Sequence, residues 1–261
     1  MADPTQALAA LAADPSRVLL ALDFDGTLAP LVDHPLDARP LPASMAAVER
    51  IAAAGVHVAL VSGRGLEELS TVTGPVPEGT WLVGSHGAEF GRIRDGVYVL
   101  EPFELSPEAL SKQDELMTVA EDIAARHEGV LAQRKPTTVL VHTKMAHPDV
   151  EALATAEAVA LGNAHSLKTV VGKHIVEIAV HTAHKGEGVD ALRRALGTTV
   201  VVYVGDDTTD EDALEALREG DVGVKVGPGP TAGRFRVDSP EAVAGLLEGF
   251  AGRLEAAATG V

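Results

Sequence analysis

The chain has 261 residues, 46% of them hydrophobic, and a formal net charge of −17. A chain of this length and composition buries one or two sizeable cores, which excludes a disordered protein. The acidic balance excludes a protein that binds nucleic acid through its phosphates, and the absence of cysteine excludes disulfides and thiolate metal sites.

No uninterrupted apolar run approaches the ~20 residues that a membrane-spanning helix needs. The first residues also lack a basic segment followed by a long apolar region, so no signal peptide is predicted. We therefore expect a cytoplasmic monomer whose partner is a small molecule, with no nucleic-acid or membrane partner. A local cation or a few basic residues can still make one pocket attractive to a small anion.

Strands and helices alternate through the first hundred residues, and polar residues collect where the strands end. This pattern is typical of a parallel sheet with helices on both faces and a ligand site at its carboxyl edge. The predicted elements are a helix over 6–12, a strand over 18–22, a helix over 44–54 with Ser44 as its cap, a strand over 56–61, a helix over 66–73 and a strand from 81.

A different pattern occupies the middle of the chain, and the first pattern then resumes. The middle elements are a helix over 107–126, strands over 130–132 and 138–142, a helix over 149–161 and strands over 166–171 and 174–178. The later elements are a helix over 186–196, a strand over 200–204 and helices near 210–219 and 240–257.

The change of pattern predicts an α/β fold with two domains. The core is a doubly wound, Rossmann-like parallel sheet formed discontinuously by residues 1–105 and 179–261. Residues 106–178 form an inserted α+β cap, or lid, domain.

Two carboxylates follow the first predicted strand in Asp23-Phe24-Asp25-Gly26-Thr27. Acids at the end of an apolar strand repel each other and cost desolvation energy unless a cation or a proton joins them. The segment predicts a divalent-metal site in which Asp23 is the nucleophile and Asp25 the general acid and base. By itself, the segment could equally be a plain Asp-Gly turn.

Two further segments offer groups that suit a phosphate. Ser62 and Gly63 lie between a strand and a helix, where a hydroxyl and free N–H groups bind anions, and Arg64 can add a charged contact. Lys185 precedes a helix, where a cation opposes the helix dipole, so it suits a lysine that neutralises phosphoryl oxygens and keeps Asp23 ionised. Taken singly, a helix cap and a surface lysine are the commoner explanations.

Five acids fall within seven residues directly after the last strongly apolar strand. That density suits a hard cation. Asp206 is the predicted direct ligand, Asp207 belongs to the same candidate set, and Asp210 either ligates or holds a ligand by a hydrogen bond. Glu211 and Asp212 are interpreted as acids of a helix N-terminus.

In combination, these segments resemble the four signature motifs of the haloacid-dehalogenase-type phosphatases. The motifs are Asp23-x-Asp25-Gly26-Thr27, Ser62, Lys185 and Gly205-Asp206-Asp207-x-x-Asp210. More narrowly, the chain resembles the trehalose-6-phosphate phosphatase family. The narrower likeness rests on Val61-Ser62-Gly63-Arg64, Gly84-x-His86-Gly87-Ala88-Glu89, the stretch 135–144, Gly172-Lys173 with Val176-Glu177-Ile178, and the extended acidic segment 205–211.

The resemblance implies a phosphoric monoester hydrolase of trehalose biosynthesis that uses Mg²⁺ and forms an aspartyl-phosphate. The catalytic residues it implies are Asp23, Asp25, Ser62 and Lys185. The metal-site residues are Asp23, Asp25 through its backbone carbonyl, Asp206, Asp207 and Asp210. The substrate-binding residues are Thr27, Gly63, Arg64, His86, Glu89, Gln133, Lys135, Lys144 and Glu177.

Several positions depart from the pattern of the family. Gln133 stands where Glu is usual, Lys144 where Arg is common, and Ala179 and Val180 replace Arg-Pro. His184 precedes the catalytic lysine where Asn is frequent. None of these positions takes part in the chemical step. The departures therefore affect the prediction of which sugar is bound and not the prediction of the reaction.

Three alternatives follow. A phosphatase of a related glycosyl or pseudo-disaccharide phosphate would keep the mechanism. A mutase ranks lower, because the roughly 40 residues between the first two motifs hold little more than one crossover. A non-catalytic sugar-phosphate sensor also ranks lower, because the four motif carboxylates are all present.

Overall fold

The computed structural model of the chain describes residues 4–101, 105–135, 137–180 and 184–259. Two compact units divide the chain: Met1–Pro102 with Ala183–Val261, and Phe103–Thr182. Each unit has its own sheet and its own hydrophobic cluster. Within the described residues, no helix is both long and apolar enough to cross a membrane.

Helices and strands alternate along most of the chain. The helices are α1 (Pro4–Leu11), α2 (Pro42–Ala53), α3 (Leu66–Thr73), α4 (Pro107–Arg126), α5 (Pro148–Ala164), α6 (Lys185–Leu196), α7 (Thr208–Glu215) and α8 (Pro240–Thr259). The strands are β1 (Val18–Asp23), β2 (His57–Val61), β3 (Trp81–Gly84), β4 (Glu89–Arg94), β5 (Val97–Glu101), β6 (Leu131–Arg134), β7 (Thr138–His142), β8 (Thr169–Gly172), β9 (Ile175–Ala179), β10 (Val200–Gly205), β11 (Val222–Val226) and β12 (Phe235–Val237).

The sheet of the first unit has the strand order β12-β11-β10-β1-β2-β3-β4-β5. Neighbouring strands from β12 to β3 are parallel to each other. β4 is antiparallel to β3, and β5 is antiparallel to β4. β1 lies between β10 and β2, which places the end of β1 near the middle of the carboxyl edge. The predicted α/β class, with a mostly parallel central sheet and a separate second sheet, is therefore confirmed.

Helices cover both faces of this sheet. Leu20 belongs to a buried cluster that also contains residues of α1, α2, α3 and α8. Leu19 and Ala21 are fully buried on the opposite face. Tyr203 pairs with Ala21 in the β1–β10 register, and α7 contacts β10 and α6. Burial on both faces explains why β1 and β10 are continuous apolar runs.

Several features of the first unit differ from the sequence prediction. The antiparallel hairpin of β4 and β5, whose turn holds Asp95 and Gly96 at φ of 53° and 75°, was not predicted, nor were β11 and β12. Asp-Gly is a strong hairpin signal, but the polar residues of β4 obscured the strand. Ser44 was wrongly predicted as a helix cap: α2 begins at Pro42, and Ser44 is buried in its first turn.

The second unit is an antiparallel sheet with two helices. Its strand order is β6-β7-β9-β8, and a cluster on one face joins it to α4 and α5. The predicted helix over 107–126 and strand over 138–142 have the observed bounds. Directly opposite residues share a face, so Gln133, Leu140 and Glu177 form one row across β6, β7 and β9.

Candidate active site

The turn after β1 brings the first carboxylates against the acidic segment. Gly26 has φ of 77°, its N–H donates to the Ala29 carbonyl at 2.7 Å, and the Ala29 N–H donates to the Phe24 carbonyl at 2.9 Å. A Cβ on Gly26 would lie 2.1 Å from Asp206 Oδ2. Glycine therefore serves both the backbone conformation and the approach of Asp206.

A buried lysine joins residues from three elements at this edge. Lys185, the first residue of α6, is 3% exposed, and its Nζ donates to Asp23 Oδ1 at 2.6 Å and to Asp210 Oδ1 at 2.8 Å. Asp210 is fully buried. The lysine thus lies beside the predicted nucleophile, as the sequence prediction requires, and a second carboxylate fixes its position.

The hydroxyl of Tyr203 completes this group. It donates to Asp210 Oδ1 at 2.6 Å, and its side chain is fully buried. Burial, together with the negative charges of Asp210 and Asp23, raises the pKa of Tyr203 well above its ordinary value, so the hydroxyl remains a donor. The sequence analysis missed Tyr203, although one polar tip in an otherwise aliphatic strand was a usable signal.

The charges of the site are not balanced by protein groups alone. Burial raises the pKa of Asp23 well above its ordinary value, and repulsion from Asp210 and Asp206 adds to this, while Lys185 acts against it. Burial and repulsion from Asp210 also raise the pKa of Asp206. Burial by itself lowers the pKa of Lys185, but attraction to Asp23 and Asp210 outweighs it and raises the pKa. A bound cation would stabilise the ionised carboxylates.

Three of the predicted metal-site residues lie together. Asp23, Asp206 and Asp210 each offer a carboxylate oxygen, and these oxygens lie within 4.8 Å of one another. Asp206 Oδ1 is buried and has no hydrogen-bond partner among the described residues. A buried acceptor without a partner costs free energy, and an all-oxygen donor set suits Mg²⁺. The residues present therefore fit a hard divalent cation.

Asp207 and Asp210 have other partners. The Asp207 side chain accepts from the Thr208 N–H at 2.7 Å. It also accepts from the Asp210 N–H, and Asp210 Oδ2 accepts from the Asp207 N–H at 2.9 Å, which makes a capping box at the start of α7. Asp210 thus accepts three hydrogen bonds, including those from Lys185 and Tyr203. Its position suits orienting Lys185 and the loop at least as well as ligating a metal.

The side chain of Asp25 is held by Arg64. Arg64 Nε donates to Asp25 Oδ2 at 2.7 Å and Nη2 donates to Oδ1 at 2.8 Å, while Nη1 contacts Glu68. The guanidinium also lies 5.8 Å from the centre of the Phe24 ring. Arg64 was predicted to contact substrate, but here its donors bind carboxylates of the protein and position the predicted acid and base.

A cavity of about 410 Å³ opens beside these groups. Its lining residues are Asp23, Asp25, Pro35, Ser62, Gly63, Arg64, Glu68, His86, Lys185, Asp207 and Thr209. A Cβ on Gly63 would lie 2.6 Å from His86 Cε1, so a larger residue here would displace the imidazole ring. The structure therefore brings the four predicted catalytic residues to one cavity with Gly63, Arg64 and His86.

Two predicted substrate-binding residues of the first unit lie elsewhere. Thr27 is fully buried, and its hydroxyl has no hydrogen-bond partner within the part of the chain that the structure describes. Glu89 Oε2 accepts from the Leu66 N–H and from Ser85 Oγ, both at 3.0 Å, at the start of α3. Neither lines the cavity, and Glu89 has a clear structural role.

The predicted residues of the second unit are exposed. Gln133 and Lys144 line a separate cavity of about 480 Å³, with Gly129, Leu131, Ala132, His142 and Met145. His142 Nε2 lies 2.9 Å from Gln133 Oε1. Lys135 and Glu177 lie outside this lining, although Glu177 shares the row of Gln133, about 10 Å away by two strand spacings.

Comparison with known proteins gives a consistent relationship. A family model described as trehalose-phosphatase matches residues 21–241. A trehalose-phosphate phosphatase of Mycobacterium avium (strain 104) is 35% identical over 253 residues, covering 89% of this chain and 62% of that protein. A bifunctional trehalose-6-phosphate synthase/phosphatase of Thermoproteus tenax is 33% identical over 237 residues, covering 89% of this chain and 32% of that protein.

Solved structures share the fold. A trehalose-6-phosphate phosphatase of Aspergillus fumigatus, in crystal form 3, has a TM-score of 0.60 at 23% identity, covering 96% of this chain and 98% of that one. The C-terminal domain of the Candida albicans trehalose-6-phosphate phosphatase has a TM-score of 0.58 at 21% identity, covering 96% and 97%. The chain spans less than two thirds of the length of the mycobacterial relative. Because the family model matches most of the sequence, the chain belongs to the trehalose-phosphatase family.

Proposed function

We propose that this chain is a Mg²⁺-dependent phosphatase that hydrolyses trehalose 6-phosphate to trehalose and phosphate. The observation that carries the proposal is the buried group of Asp23, Lys185 and Asp210, beside the unpartnered oxygen of Asp206, in a chain of this family. A buried carboxylate beside a buried lysine, open to a cavity, suits attack on a phosphoryl group.

In the first step, a carboxylate oxygen of Asp23 attacks phosphorus, and the bond between phosphorus and the sugar oxygen breaks. Asp25 gives a proton to that oxygen, so that trehalose leaves and an aspartyl-phosphate remains on Asp23. Lys185 stays on Asp23 Oδ1 and neutralises charge on the phosphoryl oxygens. Ser62, 2% exposed and in the cavity lining, is placed to donate to those oxygens.

In the second step, Asp25 takes a proton from a water molecule, and the water oxygen attacks phosphorus. The bond between phosphorus and Asp23 breaks, which restores the carboxylate and releases phosphate. Arg64 holds Asp25 over the cavity with two hydrogen bonds, so the same group is positioned for both proton transfers.

Asp23 and Asp206 would hold Mg²⁺, with the Asp25 carbonyl as a further oxygen donor. The ion, when bound, supplies charge neutralisation for the phosphoryl oxygens and for the carboxylates around it. Asp210 keeps Lys185 and the backbone of Asp207 in place, and it is proposed as a supporting residue of this site.

We further propose that residues 106–178 act as the cap domain that recognises the sugar. Phosphoryl transfer is the same for many substrates, so discrimination needs contacts with the sugar itself. The row of Gln133 and Glu177, with Lys135 and Lys144 close in sequence to β6 and β7, supplies exposed donors and acceptors of the kind that bind sugar hydroxyls.

The test is phosphate release by the purified chain. We expect turnover of trehalose 6-phosphate with Mg²⁺, loss of turnover with a chelator, and much lower kcat/KM for glucose 6-phosphate. Comparable kcat/KM values for both sugars would contradict the specificity. A preference for another disaccharide phosphate would support the first alternative, and binding of trehalose 6-phosphate without turnover would support a sensor.

A further inference from the structure

A second buried lysine lies beneath the acidic segment, and no role in phosphoryl transfer was predicted for it. Lys225 of β11 is 4% exposed and pairs with Gly205 at the end of β10 in the parallel register. Gly205 directly precedes Asp206. A buried ammonium group costs desolvation energy unless it is paired and hydrogen-bonded, so its partners show what it holds.

Among the described residues, Lys225 has one partner on the loop that carries Asp206 and one in the first turn of α7. Its Nζ donates to the backbone carbonyl of Asp207 at 3.1 Å and forms an ion pair with Glu211 Oε1 at 3.1 Å. Glu211 Oε2 accepts from the Ala232 N–H at 2.9 Å, so the same glutamate also joins α7 to the segment after β11. Lys225 thus connects β11, the acidic loop and the first turn of α7.

The peptide groups of Asp207 are fixed from both sides. Its N–H donates to Asp210 Oδ2 at 2.9 Å, and its carbonyl accepts from Lys225. Asp206 immediately precedes it, and Asp206 Oδ1 is buried with no hydrogen-bond partner among the described residues. One carboxylate oxygen of Asp206 lies within 4.8 Å of oxygens from Asp23 and Asp210. The direction of the Asp206 carboxylate therefore depends on a backbone that Lys225 holds.

We propose that Lys225 is a positioning residue for the divalent-cation site, and that it acts by fixing the Asp207 carbonyl and so the direction of Asp206. The inference rests on the proposed Mg²⁺ site. A positioning role of Lys225 and the effect of its charge alone predict opposite changes in cation affinity when Lys225 is replaced. Removing the positive charge of Lys225 removes a Coulomb repulsion on the cation and so strengthens cation binding. Releasing the loop weakens cation binding, because the ligand is no longer oriented.

The experiment is calorimetric titration of Mg²⁺ into the substrate-free protein. We expect Lys225→Met to bind Mg²⁺ about tenfold more weakly than the unmodified chain. Lys225→Arg, which keeps the charge and N–H donors, should recover most of the affinity. Arg234→Met is the matched control, because Arg234 is an exposed cation in the neighbouring segment and its removal should leave affinity unchanged or slightly raised.

Equal or tighter Mg²⁺ binding by Lys225→Met would overturn the proposal, as would equal weakening in Arg234→Met. Urea unfolding without Mg²⁺ identifies the variants that are folded. If Lys225→Met is not folded, Lys225→Gln replaces it, and its weaker binding, restored in Lys225→Arg, is the expected result. No Mg²⁺ binding by the unmodified chain would overturn the proposed metal site itself, whereas normal binding by both Lys225 variants would overturn only the role of Lys225.

Discussion

The buried polar group of the first unit and the exposed polar side chains of the second unit are built in opposite ways. Asp23, Lys185 and Asp210 are at most 3% exposed and are joined by hydrogen bonds of 2.6 to 2.8 Å. Gln133 and Glu177 are exposed side chains of the second sheet, and Gln133 contacts His142. The first arrangement is fixed before any ligand binds, which suits chemistry, and the second can adjust, which suits recognition.

The largest expected effect is that of removing the nucleophile. Asp23→Asn should lower kcat for trehalose 6-phosphate by at least about a thousandfold, because an amide cannot form the aspartyl-phosphate. Asp95→Asn is the matched control, since it makes the same change in an exposed hairpin turn and should keep full activity. Phosphate release measures both, and an active Asp23→Asn would contradict the mechanism.

The next effect separates two neighbouring acids. Asp206→Asn should weaken Mg²⁺ binding by tenfold or more, because a ligand carboxylate is lost, whereas Asp207→Asn should weaken it by only about two- to threefold, because asparagine can still cap α7. Titration of Mg²⁺ measures the ratio. Equal losses would show that Asp207 is a ligand and that the cation site extends beyond the buried carboxylates.

A smaller effect tests whether the group of Asp23, Lys185 and Asp210 depends on the hydrogen bond from Tyr203. Tyr203→Phe removes a hydrogen bond to Asp210 and should destabilise the fold by about 1–2 kcal/mol. The value of kcat should fall several-fold with little change in KM, since Lys185 is less firmly held. Tyr98→Phe, at a partly exposed position of β5, should change neither quantity. Unchanged kcat in Tyr203→Phe would show that Tyr203 contributes to the stability of the fold and not to catalysis.

The smallest effect on chemistry is expected in the second unit. Gln133→Ala and Glu177→Ala should raise KM for trehalose 6-phosphate several-fold and leave the turnover of a small aryl phosphate unchanged, because these two exposed side chains act on the sugar. Free energies of unfolding should stay within about 0.5 kcal/mol, as both side chains are exposed. Equal losses on both substrates would contradict the division of roles.

Local patterns in the sequence predicted the elements whose apolar residues follow a clear period. The bounds of α3, α4 and β7 were predicted without error, and β1 was predicted to within one residue. The ends of the strands then indicated where the site would form, because the carboxyl ends of parallel strands share one edge. Ser62 was predicted as a site residue in this way, whereas Lys185 was predicted because a cation at the start of a helix opposes the helix dipole.

The partners of these residues were not predictable from local pattern. Lys185 and Asp23 are 162 positions apart, and Arg64 and Asp25 are 39 apart. Only the packed fold shows that Arg64 positions Asp25, that Tyr203 holds Asp210 and that Lys225 holds the Asp207 carbonyl. Such pairings depend on tertiary geometry, whereas motif spacing reports only which side chains reach the sheet edge.

The most direct test of the central claim is to trap the covalent intermediate. The chain would be mixed with trehalose 6-phosphate and Mg²⁺, quenched with acid within one turnover and digested, and its peptides analysed by mass spectrometry. The account predicts a phosphoryl group on Asp23, absent in Asp23→Asn and present in Asp95→Asn. A phosphoryl group on another residue, or full turnover with no covalent intermediate, would contradict it.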